Sequence, residues 1–159
     1  CRLIDGHSRF SVGGVEVTPF PVPHDAREPV QFVVSDGLRR LGVLTDCGAI
    51  TPHVTAVLEG CHALVLECNH DPDLLAASDY PAMLKRRIAG DFGHLGNAQA
   101  ASLLRQIDTA ALRHVVAAHL SEQNNRPDLA RRALAEALDC AEDWIGVASQ
   151  EDGSGWREL

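Results

Sequence analysis

The stretch Arg113 to Leu129, RHVVAAHLSEQNNRPDL, constrains this chain more than any other. Val115, Val116, Ala117 and Ala118 form a short apolar run that reads as a buried strand. The run stops at His119 and gives way to a polar loop, Ser121 to Asn125. Asn125 is placed to cap a helix that has Pro127 just inside its start. Strand, His, loop, helix is the order of an open α/β sheet, where ligands bind at the carboxyl ends of the strands. A His there can hold a metal or move a proton, or it can simply hydrogen-bond within its loop.

The rest of the chain repeats that arrangement. Residues 10–20 alternate around Val12, Val15 and Val17, with Gly13-Gly14 as a turn, and predict a strand or hairpin arm. Residues 21–29, PVPHDAREP, hold three prolines, so His24 and Asp25 belong in an extended loop. Val30 to Val34 and Leu41 to Leu44 predict two strands joined at Asp36-Gly37. The second of these ends in Thr45-Asp46-Cys47-Gly48, a carboxylate at a strand end that serves equally as a site or as a turn. Thr51 and Pro52 start a helix that runs to about Glu59. Ala63 to Leu66 is an apolar strand ending in the polar cluster Glu67 to Asp71.

A helix is expected over Pro81 to Ala89, with Lys85, Arg86 and Arg87 on a solvated face. GDFGHLGN, residues 90–97, is a glycine-rich loop carrying His94. Asn97 is the expected cap of a helix with Ala100, Leu103, Leu104 and Ile107 at helical spacing, whose N-terminus would favour an anion such as phosphate. Residues 144–147 suggest an edge strand. Trp144 and Trp156 read as packing residues.

With 159 residues the chain is about one domain long and able to bury a core. Its net charge of −8 provides no global basic field, so a phosphate-bearing substrate needs a local positive site or a metal. Five cysteines without CxxC spacing suggest reduced thiols in a cytoplasmic protein. No apolar run approaches the roughly 18 residues of a membrane span, and no signal peptide is visible. The opening Cys1 lacks a preceding Met. Mature bacterial lipoproteins also open on Cys, but a fragment of a longer chain is the stronger expectation.

His24, Asp46, Glu67 and His119 thus sit at strand ends or loops, with His94 on a glycine loop. His24 and His119 are imidazoles suited to zinc or manganese, and Asp46 can bridge two ions. Two such ions would activate a water and polarise a phosphate or carbonyl.

At these residues the sequence resembles the metallo-β-lactamase fold and, within it, the WalJ/YycJ-like hydrolases. VTPFPVPHDAREPVQF resembles the segment with the single metal-binding His, which assigns His24 to a metal. LGVLTDCG resembles the bridging-aspartate segment and assigns Asp46 to the bridge. LVLECNHD, GHLGN and AHLSEQNN resemble three later motifs. They imply Glu67 beside the site, His94 near the scissile group and His119 on the second metal. Asn69, His70, Asn97, Ser121 and Asn124 are the implied substrate-binding residues. Relatives usually read GHLSN, so Gly96 is a departure that removes a hydroxyl.

The resemblance implies an αββα sandwich of two facing sheets, of which residues 1–159 would be the C-terminal part, because the motif HxHxDH does not occur. It also implies a dinuclear zinc or manganese hydrolase in which a metal-activated hydroxide cleaves phosphodiesters, with a 5′→3′ DNA exonuclease as the expected activity and DNA as the partner. Two other readings stand beside this one. The first is an acyl hydrolase for thioesters or lactones on the same fold. The second is a truncated, inactive scaffold that dimerises through an uncovered sheet.

Overall fold

A computed structural model describes residues 3–159; the expectation about Cys1 lies outside them. One seven-stranded sheet organises the described residues, with its strands in sequence order. Strands β1 (Phe10–Val12), β2 (Val15–Pro21), β3 (Val30–Ser35) and β4 (Arg40–Leu44) run antiparallel. From β4 the sheet turns parallel through β5 (Ala63–Glu67), β6 (His114–Ala118) and β7 (Gly146–Val147). Parallel neighbours need crossovers, and helices supply them. Helix α1 (Pro52–Leu58) joins β4 to β5. Helices α2 (Pro72–Ala77), α3 (Ala82–Ile88) and α4 (Asn97–Gln106) lie between β5 and β6, and α5 (Pro127–Leu138) precedes β7. No described helix is long and apolar enough to cross a membrane.

Strand alternation gives the sheet two unlike faces. Val33, Leu44, Leu64, Leu66, Val115 and Ala117 point to one side and form the core with Val54 and Leu58 of α1, Leu103 and Leu104 of α4, and Leu134 of α5. Gly42 belongs to this face because a Cβ there would run into Leu58 and Leu64. The other face carries the cross-strand row Pro19, Phe32, Val43, Val65 and Val116. Phe32, Val43 and Val65 in that row are only half-buried. The described residues therefore form one sheet of the expected sandwich, helix-covered on one side and apolar on the other.

Several expectations at element ends are corrected. Helix α2 was not anticipated: Asp71 caps it, accepting from the Asp73 and Leu74 amides, with Pro72 at its start. Gly96, not Asn97, is the residue preceding α4, and the Gln99 side chain takes the Gly96 N–H at 2.8 Å. The Asn97 N–H is bonded to the His70 carbonyl at 2.9 Å. Those two amides are spent inside the chain. Arg126, not Asn125, holds the cap position of α5. Trp144 packs against the core, but Trp156 is fully exposed.

Candidate metal centre

Asp46, Glu67 and His119 stand at or just past the carboxyl ends of β4, β5 and β6, three adjacent parallel strands. Parallel alignment brings their ends to one edge of the sheet. His24 reaches the same edge from the loop after β2, and His94 from the loop before α4. Asp46 and His119 both have left-handed backbones, with φ of 50° and 56°. Non-glycine residues adopt that region at a cost and concentrate at functional sites when they do.

Glu67 is the centre of the arrangement. Its side chain is fully buried, yet both oxygens are engaged. Oε2 accepts from the backbone amides of Cys47 at 3.0 Å and Leu95 at 3.1 Å. Oε1 accepts from Nδ1 of His94 at 2.8 Å and Nδ1 of His119 at 2.7 Å. Burial pushes the carboxyl pKa up, but hydrogen bonds from His119, His94, Cys47 and Leu95 outweigh it and hold it at about 2. The same contact with Glu67 raises the pKa of His119, against the effect of its partial burial.

Three imidazoles are anchored alike. A carboxylate or carbonyl only accepts, so His94 and His119 donate from Nδ1 to Glu67, and His24 donates from Nδ1 to the Gly93 carbonyl at 3.0 Å. In each neutral ring this fixes the tautomer and leaves a lone pair on Nε2. Metal-ligating histidines are held in this way by an outer acceptor. The Nε2 of His24 faces Asp46 Oδ1 and Asp25 Oδ1, each at 3.6 Å. These are three acceptor atoms brought together beyond hydrogen-bond length, an arrangement that a divalent cation satisfies.

Asp46, Glu67, His94 and His119 each place a donor atom within 4.8 Å of the others. Because Glu67 has already spent both oxygens on four donors, its place is behind the imidazoles rather than on an ion. His24 and Asp46 turn Nε2 and Oδ1 toward one another as a divalent metal requires, and His119, whose Nδ1 lies 3.9 Å from Asp46 Oδ1, has Nε2 left to offer. Cys47 and Cys68 do not join it. The Cys47 thiol donates to the Ala49 carbonyl, and burial pushes its pKa up to about 11; burial raises that of Cys68 as well. Neither forms a thiolate readily.

The proposed substrate residues divide. Asn69, Ser121 and Asn124 line a groove that leads away from His94 and His119. His70 and Asn97 do not reach it. Both are buried, and burial lowers the His70 pKa. Asn97 exchanges two hydrogen bonds with Asn125, of 2.9 and 2.8 Å, while Asn125 also donates to the Cys68 carbonyl at 2.6 Å. This amide pair ties the starts of α4 and α5 to the end of β5 and so fixes the loops carrying His94 and His119. Nothing in the sequence pairs the two residues. Asp25 was also missed; Arg87 grips its carboxylate and holds its pKa down, and it sits beside His24.

Known proteins share this frame. The model of the β-lactamase superfamily domain matches residues 1–120. The exodeoxyribonuclease YycJ of Bacillus anthracis is 38% identical over 127 residues, which is 80% of this chain and 48% of that protein. The exodeoxyribonuclease WalJ of Streptococcus pneumoniae is 29% identical over 135 residues, 85% of this chain and 50% of that protein. The chain thus spans about half the length of the curated relatives it matches. Among solved structures, the metallo-β-lactamase fold protein YhfI from Bacillus subtilis superposes with a TM-score of 0.68 at 15% identity, covering 96% of this chain and 53% of that one. A sheet edge with imidazoles anchored around one buried glutamate, together with these matches, makes this chain a member of the β-lactamase superfamily, built on the metallo-β-lactamase fold and related to YycJ and WalJ.

Proposed function

We propose that this chain is the C-terminal part of a single metallo-β-lactamase domain and carries about half of a dinuclear zinc or manganese phosphodiesterase centre, a 5′→3′ DNA exonuclease. The observation that carries the reading is the Glu67 carboxylate shared by His94 and His119. The names of YycJ and WalJ support DNA as the substrate. The half-buried apolar row on the open sheet face supports a second layer that covers it and brings the remaining metal ligands.

His24 and Asp46 would hold one ion, and Asp46 and His119 the other. The ions, when bound, supply the positive field and the Lewis acid that activates water. His94 has a different task. It is anchored by the same oxygen as His119 but is less exposed, and its Nε2 is free to donate to the leaving oxygen when the ring is protonated. Glu67 orients that ring, as a buried carboxylate does for a catalytic imidazole. Asn69 and Ser121 supply polar contacts beside it, with buried Asn124 held behind Ser121.

The test is elemental analysis of the full-length protein together with digestion of a 3′-labelled oligonucleotide. The expected result is two transition-metal ions per chain and stepwise shortening from the 5′ end. Asp46→Ala would lose both metal and activity. His94→Ala would keep the metal and lose at least 100-fold in rate, roughly the contribution of one general acid. Turnover of thioesters without cleavage of DNA would overturn the nuclease reading in favour of acyl hydrolysis. A chain with no metal would make the site an inherited scaffold.

A further inference from the structure

Asp25 brings to the metal edge a carboxylate that no strand end supplies. Pro21 and Pro23 keep the chain before it extended, and three hydrogen bonds fix where it lies. The Gly48 N–H donates to the Pro23 carbonyl at 2.8 Å, the Asp25 N–H to the Phe92 carbonyl at 3.0 Å, and Nδ1 of His24 to the Gly93 carbonyl at 3.0 Å. The segment is thus sewn on one side to the turn after Asp46 and on the other to the loop before His94. That second loop folds back on the end of α3, so closely that a Cβ on Gly93 would run into the Arg87 and Ile88 carbonyls. Arg87 is delivered against Asp25 in this way, across 62 positions of sequence.

Arg87 holds the carboxylate unevenly. A guanidinium often gives one N–H to each oxygen of such a group. Here Nε at 2.6 Å and Nη2 at 2.5 Å both reach Oδ2. Oδ1 of Asp25 accepts no hydrogen bond among the described residues and stands 3.6 Å from Nε2 of His24. Oδ1 of Asp46 stands at the same 3.6 Å from that nitrogen and likewise accepts none. Two ligands of one ion, with bonds of about 2.1 Å, lie about 3.4 Å apart at the tetrahedral angle. His24, Asp25 and Asp46 all line one cavity of about 400 Å³, which Arg87, His94 and His119 also border. Helix α3 flanks this cavity without burying any of its own side chains, so polar ties hold it there, Arg87 to Asp25 among them.

We propose that Asp25 is a further oxygen donor to the ion held by His24 and Asp46, that Arg87 is the positioning residue that presents it, and that this added carboxylate shifts the site's preference toward manganese. The inference rests on the dinuclear centre proposed above and extends it by one ligand and a metal preference. Zinc ordinarily binds a given site more tightly than manganese. Imidazole in a four-coordinate site suits zinc, whereas carboxylate oxygens in a six-coordinate site suit manganese, so each added carboxylate narrows zinc's lead. Arg87 touches the carboxylate and not the ion; by occupying Oδ2 it leaves Oδ1 as the atom turned to His24.

The test is metal binding by the full-length protein stripped with EDTA. Mn²⁺ is titrated with the free ion followed by EPR, and Zn²⁺ against a chromophoric chelator, with melting of each metal-free variant recorded alongside. Asp25→Asn is expected to weaken one Mn²⁺ by about 10–100-fold and the corresponding Zn²⁺ by less, so that zinc's lead widens. Arg87→Ala should move the ratio the same way by a smaller factor. Arg87→Lys, a point charge in place of the fork, should recover only part of it. Asp25→Asn that binds both metals like the parent overturns the proposal, and so does an equal loss of both, which a loosened loop alone would give. If Asp25→Asn does not fold, Arg87→Ala carries the same comparison, and an unchanged ratio there overturns the proposal. A parent that takes up no metal sinks the metal-centre reading and this donor with it; a parent that binds two ions, with indifferent variants, sinks the donor alone.

Discussion

Replacing Glu67 by Gln tests the centre at its most constrained atom pair. The carboxylate accepts four hydrogen bonds from four donors, two per oxygen. An amide cannot match this. Whichever way it turns, its NH2 meets either the two backbone amides of Cys47 and Leu95 or, in the tautomers that leave Nε2 free for a metal, the two imidazole Nδ1–H groups, donor against donor. The carboxyl pKa falls from an ordinary 4.5 to about 2 on folding. That depression corresponds to roughly 3 kcal/mol of stability, and two buried donors left facing a donor bring the expected loss to about 3–5 kcal/mol.

The sign follows from the direction of the shift. A group depressed on folding contributes fully above its unfolded pKa, and the contribution is lost as pH falls through the window from 4.5 toward 2. Urea unfolding of the EDTA-treated full-length protein at pH 7 and at pH 3 measures both effects. The variant should unfold about 6–20 °C lower in a parallel melt and should lack the acid-dependent component that the parent shows. A Glu67→Gln protein that loses under about 1 kcal/mol and keeps the parent's acid sensitivity would refute the reasoning, because Glu67 would then not be an ionised hub.

Other perturbations act on the supports of the site. Asn125→Ala leaves the Asn97 amide, the Cys68 carbonyl and the Arg126 N–H without their partner. It should cost about 2–4 kcal/mol by urea titration, and a double cycle with Asn97→Ala should show coupling of about 1–2 kcal/mol; additive losses would deny the pair. Gly48→Ala puts a Cβ into the Asp91 carbonyl and Gly93 amide of the loop that carries His94. The expected cost is about 1–3 kcal/mol, with a fall in diester hydrolysis larger than any fall in metal content. Timed alkylation of the native protein should modify half-buried Cys140 before buried Cys47, Cys61 and Cys68, and Cys47→Ser should leave metal content unchanged in elemental analysis.

How much of this was legible depended on whether the signal was local. Strands β3 to β6 followed from short apolar runs, because each run is bounded by Gly, Pro or a polar cluster that breaks it. The positions of His24, Asp46, Glu67, His94 and His119 followed from their places after those runs, and the motifs assigned them in order. Helix α2 was hidden by its length: six residues give too little periodicity, and only Asp71-Pro72 announced it. The caps of α4 and α5 were misread because an Asn before a helix looks the same whether it caps that helix or turns inward. Asn97 and Asn125 turn inward to meet each other across 28 positions of sequence. Their choice is made by tertiary packing that satisfies two buried amides at once. The same limit hid Asp25, whose role depends on Arg87, 62 positions away.

The backbone at Asp46 and His119 links the fold to its chemistry. Both residues end parallel strands, and both turn left-handed just where the chain leaves the sheet. Glycine would make that turn at lower cost. The chain instead keeps a carboxylate at 46 and an imidazole at 119 and bears the strain. The buried Glu67 carboxylate between them binds His119 directly and takes the Cys47 amide next to Asp46, so one ionised group holds both turns in place. Strain of this kind persists only where surrounding structure overdetermines it. The hydrogen bond that steadies the turn at His119 also fixes its tautomer, and the same carboxylate oxygen fixes that of His94. The fold therefore cannot relax these turns without also losing the orientation of its donors, which ties the stability of this sheet edge to its capacity to hold a metal.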